Sequence, residues 1–324
     1  LFFDHYFIIF FAFCMAKSLV YDHSDSSGIH NRSNMSHFSI KDLERFSGIK
    51  AHTIRIWEQR YHLLTPQRTE GNTRLYSLEQ VHHLLDIALL TGRGNRISAL
   101  VEITPMERER KIQLLGADED KQQVAIHYLI LYKYAGEIEK FEDTLDSCVI
   151  NWGIDITIEK VIIPFMEKAD LLSYADKSCE THFAVTAIRR KIILGIEQTK
   201  PTTLTQQAAL LFLPEGEHYD LMLLYAAFLL KRKGIRILYL GTNVPLENLK
   251  QITTSKKPEL LLSYVPQRQK FKLHALVAFL AQYQPGTKLH VATCDTVLLH
   301  QNIANVQFIN YKEVAFVMKE YSVS

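Results

Sequence analysis

From Ser39 onward the apolar residues Ile40, Leu43 and Phe46 recur at helical spacing behind a hydroxyl able to cap a helix, and Gly48 then breaks the run. A second helix is expected from about Ala51 to Tyr61. It would bury Ile54 and Trp57 while His52, Thr53, Arg55, Gln59 and Arg60 project from its other sides. From Pro66 to Tyr76 the pattern changes to a hairpin, with its turn at Glu70-Gly71-Asn72 and cations on both arms. Leu78, Val81, Leu84, Leu85, Ala88 and Leu89 restore helical spacing until Gly92-Arg93-Gly94 ends it. A short helix follows around Ile97 to Val101, and Thr104-Pro105 reads as the cap and first turn of another, whose Glu107 to Lys111 run is a solvated face or linker.

Farther along, four amphipathic stretches are expected as helices: Val124 to Ala135, Ile138 to Trp152, Thr157 to Leu172 and Cys179 to Gln198. They are separated by Gly136, Gly153 and a Ser173 to Ser178 loop, a spacing that suggests a four-helix bundle. Beyond the linker at Pro201 the period shortens. Ala208 to Pro214, Ile235 to Leu240, Glu259 to Val265, Lys288 to Thr293 and Asn305 to Ile309 are short runs rich in Leu, Val and Ile, with helical spacing between them. Such β-α alternation predicts a Rossmann-like, flavodoxin-like five-stranded parallel sheet. The expected fold class is therefore multidomain α and α/β: a winged helix-turn-helix over 35–105, a helical bundle over 106–200 and a Rossmann-like domain over 201–324.

A short helix, a glycine turn, a basic second helix and an arginine-bearing hairpin in this order form a DNA-reading module. The second helix would lie in the major groove with His52, Thr53, Arg55, Gln59, Arg60 and Tyr61 as candidate contacts. Arg68, Asn72, Arg74 and Tyr76 would anchor the hairpin as a wing on phosphates. The 37 basic and 35 acidic side chains leave a net charge of only +2. No global basic field exists, so DNA affinity must come from this local patch and from its doubling in a dimer on a palindrome.

Cys14, Cys148, Cys179 and Cys294 show no C-x-x-C spacing, which argues for ordinary thiols in a reducing cytoplasm rather than a disulfide framework or a metal site. The apolar run Phe7 to Phe13 is too short to span a bilayer and follows no Lys or Arg, so neither a membrane helix nor a secretory signal is expected. Residues 1–34 read as an upstream extension, with Met35 the expected start of the functional protein. No Ser/His/Asp, Cys/His or paired-carboxylate set stands at catalytic spacing, which argues against an enzyme. His82-His83, His127 and His290 read as isolated structural or solvated histidines.

The segment Thr53-Ile54-Arg55-Ile56-Trp57-Glu58-Gln59-Arg60-Tyr61, followed by Pro66-x-Arg68 and Asn72-x-Arg74-x-Tyr76-Ser77, resembles the MerR family of winged-helix transcription regulators from Phe38 to about Ile103. The resemblance implies a transcription regulator acting on double-stranded DNA as a homo-oligomer. Pro214-Glu215-Gly216-Glu217-His218-Tyr219-Asp220-Leu221-Met222, with Gly241 to Leu246 after the second strand, is similar to the cobalamin-binding domain found behind such modules in light- and vitamin-sensing repressors. There, a Glu/Asp-x-His-x-x-Gly motif supplies a cobalt-ligating histidine and a glycine beside the nucleotide tail.

Carried onto this chain, the motif's acid falls on Glu217, its histidine on Tyr219 and its glycine on Met222, with His218 adjacent. Phenol is a poor cobalt ligand at neutral pH and Met222 adds bulk. Ser263 matches the family's Ser-x-Leu element, although Val265 replaces its Leu. Val291 to Asp295 lacks the expected paired glycines, and His182 keeps only the histidine of a Trp-x9-Glu-His motif in the bundle. These departures favour a regulator whose downstream domains serve oligomerisation, a protein partner or a small-molecule effector, with no confident cofactor or metal. Retained cobalamin sensing, a cobalamin-dependent methyltransferase component and a non-DNA-binding adaptor are the alternatives.

Overall fold

The computed structural model describes residues 37–171, 178–200, 207–265, 273–283, 286–293, 295–310, 313–314 and 317–318. The readings placed on residues 1–34, on the loop around Ser173 and on Cys294 fall outside these. By their contacts the residues gather into two compact units, Leu1–Ala169 and Asp170–Ser324.

In the first unit, helix α1 (Ile40–Ser47) starts at a reciprocal capping box: Ser39 Oγ accepts from Asp42 N at 3.3 Å, and Ser39 N donates to Asp42 Oδ2 at 2.9 Å. Gly48, at φ 76°, ends it in the left-handed region that a side chain resists. Helix α2 (Ala51–Tyr61) begins where Ala51 N donates to Glu44 Oε2 at 3.2 Å, a bond that holds the Glu44 carboxyl below its ordinary range. The wing is the antiparallel pair β1 (Gln67–Arg68) and β2 (Arg74–Leu75). Beside it, Phe38 and Tyr76 exchange two main-chain hydrogen bonds of 2.9 Å. Helix α3 (Leu78–Gly92) starts at a second capping box, Ser77 with Gln80, and closes the module by burying Val81, Leu84 and Leu85. The short α4 (Ile97–Leu100) and α5 (Pro105–Gln113) follow, the latter capped by Thr104.

Helices α6 (Asp118–Ala135) and α7 (Ile138–Thr157) form an antiparallel pair across the left-handed Gly136. Gly153 sits inside α7 at φ 78° and ψ 164°, so the expected break is a sharp kink within one helical run. Nothing lies within 4 Å of a Cβ built there; backbone conformation rather than crowding demands glycine. The chain continues through a π-helical turn (Ile158–Ile162) into α8 (Ile163–Lys168), where one continuous α-helix was expected. The module and these helices pack together: Tyr134 of α6 meets Phe38 and Phe46 at ring-centroid distances of 5.0 and 5.4 Å.

In the second unit, β3 (Ala208–Pro214), β4 (Arg236–Val244), β5 (Leu260–Tyr264), β6 (Lys288–Thr293) and β7 (Val306–Asn310) form an all-parallel sheet in the order β4-β3-β5-β6-β7. This is the flavodoxin-like order; the inner strands β3, β5 and β6 are almost wholly buried, whereas the edge strands β4 and β7 are partly exposed. One core joins Leu210, Phe212, Leu261, Leu289 and Val291 of the sheet to Leu249 of α11 (Leu246–Lys256) and to Leu276 and Leu280 of α12 (Leu273–Tyr283). Helix α10 (Leu221–Arg232) is buried at every position from Leu221 to Leu230, because the sheet covers one side and α9 (Cys179–Gln198) another. All four helices expected for the bundle are present; three belong by contacts to the first unit, and α9 belongs to the second.

Strand β4 runs four residues past its expected end at Leu240. Its pairing with β3 continues through two register shifts, joining Gly241 to Phe212 and Val244 to Pro214. Gly241 at φ 80° and Asn243 at φ 56° supply the backbone freedom this needs. A four-residue helix, α13 (Thr296–Leu299), follows β6, and the Asp295 carboxylate caps it.

Candidate DNA interface and the crevice of the α/β unit

Within the winged module, α2 buries Ile54 completely and leaves Trp57 only partly covered. His52, Arg55, Gln59 and Arg60 are exposed, and Thr53 and Tyr61 are half-covered. The Arg60 guanidinium lies over the Tyr61 ring, 5.4 Å from its centroid, near the end of the helix. On the wing, Arg68 and Asn72 are exposed, and the Arg68 guanidinium donates to Asn72 Oδ1 across the turn. Asn72 at φ 59° occupies a left-handed turn position that asparagine tolerates.

The other two wing residues of the expected set turn toward α2. Tyr76 is wholly buried and its hydroxyl donates to Glu58 Oε2 at 3.0 Å, so it offers no surface to a duplex. Burial and the adjacent carboxylate push its phenol well above the ordinary range and keep it a donor. Arg74 donates from Nε to Glu58 Oε1 at 3.0 Å, with its side chain 24% exposed. That bond raises its already high pKa and fixes the cation on the helix. Glu58, absent from the expected contacts, is thus the residue joining the wing to α2. Nothing local marks it in the sequence, since its two partners lie 16 and 18 positions away.

The second unit offers a crevice at the carboxyl ends of its strands. Gly216 N donates to Asn243 Oδ1 at 2.8 Å and Asn243 N to the Glu217 carbonyl at 2.9 Å, stitching the loop after β3 to the end of β4. Along that loop burial alternates: Glu217 and Tyr219 are buried and His218 is exposed. The Tyr219 hydroxyl donates to the Leu171 carbonyl, and Met222 is 4% exposed in the first turn of α10. Asp220, between them, receives Arg189 Nε and Nη2, each at 2.8 Å, and the Tyr239 hydroxyl at 3.3 Å. This network ties α9 to the start of α10 and to β4. Tyr239 is held protonated by burial and by the Asp220 charge.

These residues do not fit a corrinoid. Where the resemblance implies an imidazole, a phenol spends its proton on a main-chain carbonyl; where it implies a glycine, a buried thioether fills the space. His218, the nearest imidazole, faces solvent, and so does His182 on α9. After β6, Thr293 Oγ1 accepts from Asp295 N at 3.0 Å and the loop becomes a helix cap instead of a glycine passage. Ser263 is fully buried between Phe212 and Val291 with its hydroxyl unpartnered. Beside the loop after β3, a groove of ≈ 560 Å³ runs along the end of β4 and α11, lined by Asn243 together with Thr242, Asn248, Gln251 and Ser255 among others. Among the described residues no cluster of His, Cys, Asp or Glu is arranged to hold a metal ion, and no helix is long and apolar enough to cross a membrane.

Residues 38–107 match the model of the MerR HTH family regulatory proteins. Over 281 residues the chain is 25% identical to the HTH-type transcriptional repressor CarH of Myxococcus xanthus, covering 81% of this chain and 94% of that protein. It is 27% identical over 234 residues to the HTH-type transcriptional repressor CarA of the same organism, covering 71% and 77%. Among solved structures, the monomethylamine corrinoid protein of Methanosarcina barkeri superimposes with a TM-score of 0.51 at 17% identity, over 62% of this chain and all of that one, a likeness of fold. What these comparisons show is a MerR-type helix-turn-helix segment at residues 38–107 and a likeness over most of the chain to two proteins described as transcriptional repressors.

Proposed function

We propose that the protein is a sequence-specific, DNA-binding transcription regulator that acts as a homo-oligomer in the cytoplasm and is not an enzyme. The observation that carries this reading is the joint exposure of His52, Arg55, Gln59 and Arg60 on α2, beside a wing that presents Arg68. In it, Arg55 reads a base edge while Arg60 and Arg68 hold phosphates. With a net charge of +2, one module binds weakly, and two on a palindrome supply the affinity. The relatives named as repressors span most of this chain's length, which supports regulation by the whole protein rather than by a detached module.

The helical and Rossmann-like regions, 106–200 and 201–324, then serve oligomerisation or response to a protein partner or small molecule. Tyr219 and Met222 argue against cobalamin as that molecule. A methyltransferase component would share the α/β fold, but the winged module has no place in that reading. Selection of duplexes from a random pool by the full-length protein tests the proposal. Enrichment of a palindrome retained in a salt-dependent way supports it, and a pool that stays random at low salt would sink it.

A further inference from the structure

We infer that Glu58 is a positioning residue for DNA reading, its carboxylate clamping the wing to the helix that enters the groove. The inference rests on the regulator reading above.

Each oxygen of Glu58 serves a different donor: Oε1 takes Arg74 Nε and Oε2 takes the Tyr76 hydroxyl, both at 3.0 Å. The Glu58 side chain is 12% exposed, so the bonds are largely shielded from water and salt. Both donors stand on or beside β2, whose Arg74 lies directly across the ladder from Arg68 of β1. Tyr76 in turn is paired with Phe38 through the main chain. One carboxylate on α2 thereby sets where the exposed Arg68 and Asn72 stand relative to the exposed face of Arg55 and Gln59. A two-residue ladder by itself is too short to hold a wing in one place.

Charge alone makes the opposite demand. Glu58 is an acid on a helix that also carries His52, Arg55 and Arg60, and removing it takes one negative charge from the patch. If through-space attraction to phosphate dominated, Glu58→Ala would bind DNA more tightly. If the clamp dominates, the same variant binds its selected duplex less tightly, because Arg74 is released and Arg68 is no longer held at the phosphate.

The test uses the full-length protein, the duplex enriched by selection and a scrambled duplex of equal length. Glu58→Ala is expected to lose about 10- to 100-fold in specific affinity, to lose hydroxyl-radical protection at the phosphates flanking the half-sites, and to lose less on the scrambled duplex, where the removed negative charge offsets part of the freed Arg68 contact. Glu58→Gln retains an acceptor and is expected to recover part of both the affinity and the protection. Specific binding at or above the wild-type level with the flanking protection intact would overturn the clamp. Amide exchange of residues 67–75 in the free protein gives a reading without DNA: faster exchange in Glu58→Ala supports the clamp, and unchanged exchange overturns it even if the wild type selects no duplex. Should Glu58→Ala unfold, Tyr76→Phe removes one donor while keeping the buried ring. It is expected to show the same two losses in smaller measure, and their absence counts against the clamp.

Discussion

The ammonium of Lys168 donates to the main-chain carbonyl of Phe46 across 2.8 Å, joining residues 122 positions apart. Phe46 lies one residue before the end of α1, where carbonyls lack intrahelical partners and the helix carries partial negative charge. Lys168 is the last residue of α8, so the end of that helix holds the first helix of the winged module. Burial lowers the Lys168 pKa, a sign that the ammonium is partly removed from water to make this contact.

Replacing Lys168 with Met keeps the apolar stem and removes the donor. The expected loss is about 1–3 kcal/mol of unfolding free energy, the penalty for an unsatisfied buried carbonyl. Amide exchange should rise in α1 and at the start of α2. A denaturation midpoint equal to that of the wild type would show that water replaces the ammonium freely.

His127 sets an acid limit on the first unit. Burial, with repulsion from Lys168 and His82, pushes its imidazole down to about 3. An unfolded chain takes up this proton near pH ~6.5 while the native one does not, so the stability contributed is complete above ~6.5 and is lost as pH falls towards the native value. At pH 5 the loss from this residue alone is about 2 kcal/mol. His83, pushed down to about 4 mainly by burial, acts in the same direction, whereas Asp86, raised by burial, acts in the opposite one. The comparison with His127→Leu isolates the effect: its urea midpoint should move less between pH 7 and pH 5 than that of the wild type. Equal movement would refute this account.

Arg55 and Arg68 should separate reading from gripping. Arg55→Ala is expected to cost about 1–3 kcal/mol on the selected duplex and little on a scrambled one, whereas Arg68→Ala should weaken both and lower the salt slope by about 1. Equal losses on both duplexes for Arg55→Ala would reduce it to a phosphate anchor.

Incubation with hydroxocobalamin and, separately, with adenosylcobalamin, followed by desalting, should leave the wild-type protein without corrinoid absorbance. The Tyr219 hydroxyl is committed to Leu171, and Met222 is buried where a glycine is implied. Colour retained in stoichiometric amount would show that the protein holds a corrinoid despite these two residues.

Much of the local structure is legible in order along the chain. Ser39, Ser77 and Thr104 each sit three residues before the side chain that completes their capping box, and Gly48, Gly136 and Gly153 take the positive φ that their places require. The parallel sheet follows from five apolar runs separated by helical spacing, of which the inner three, β3, β5 and β6, are flanked by strands on both sides. The end of β4 was not legible, because Gly241 to Val244 have no strand pattern of their own and are held by pairing with β3. Nor was the division of the helices between units, since α9 shows the same amphipathic period as the helices that it leaves.

For the candidate site, the sequence by itself determined which residues stand on the exposed face of α2, because a helical period of 3.6 separates His52, Arg55 and Gln59 from the buried Ile54. It also shows a phenol and a thioether, Tyr219 and Met222, where the resemblance implies an imidazole and a glycine. Only the tertiary structure decided that Tyr76 and Arg74 face inward to Glu58, that Tyr219 binds Leu171 and that Lys168 holds Phe46. The reason is physical. Periodicity and capping act over three or four positions, whereas the partner of a buried polar group is set by whichever distant segment folding brings within hydrogen-bond reach.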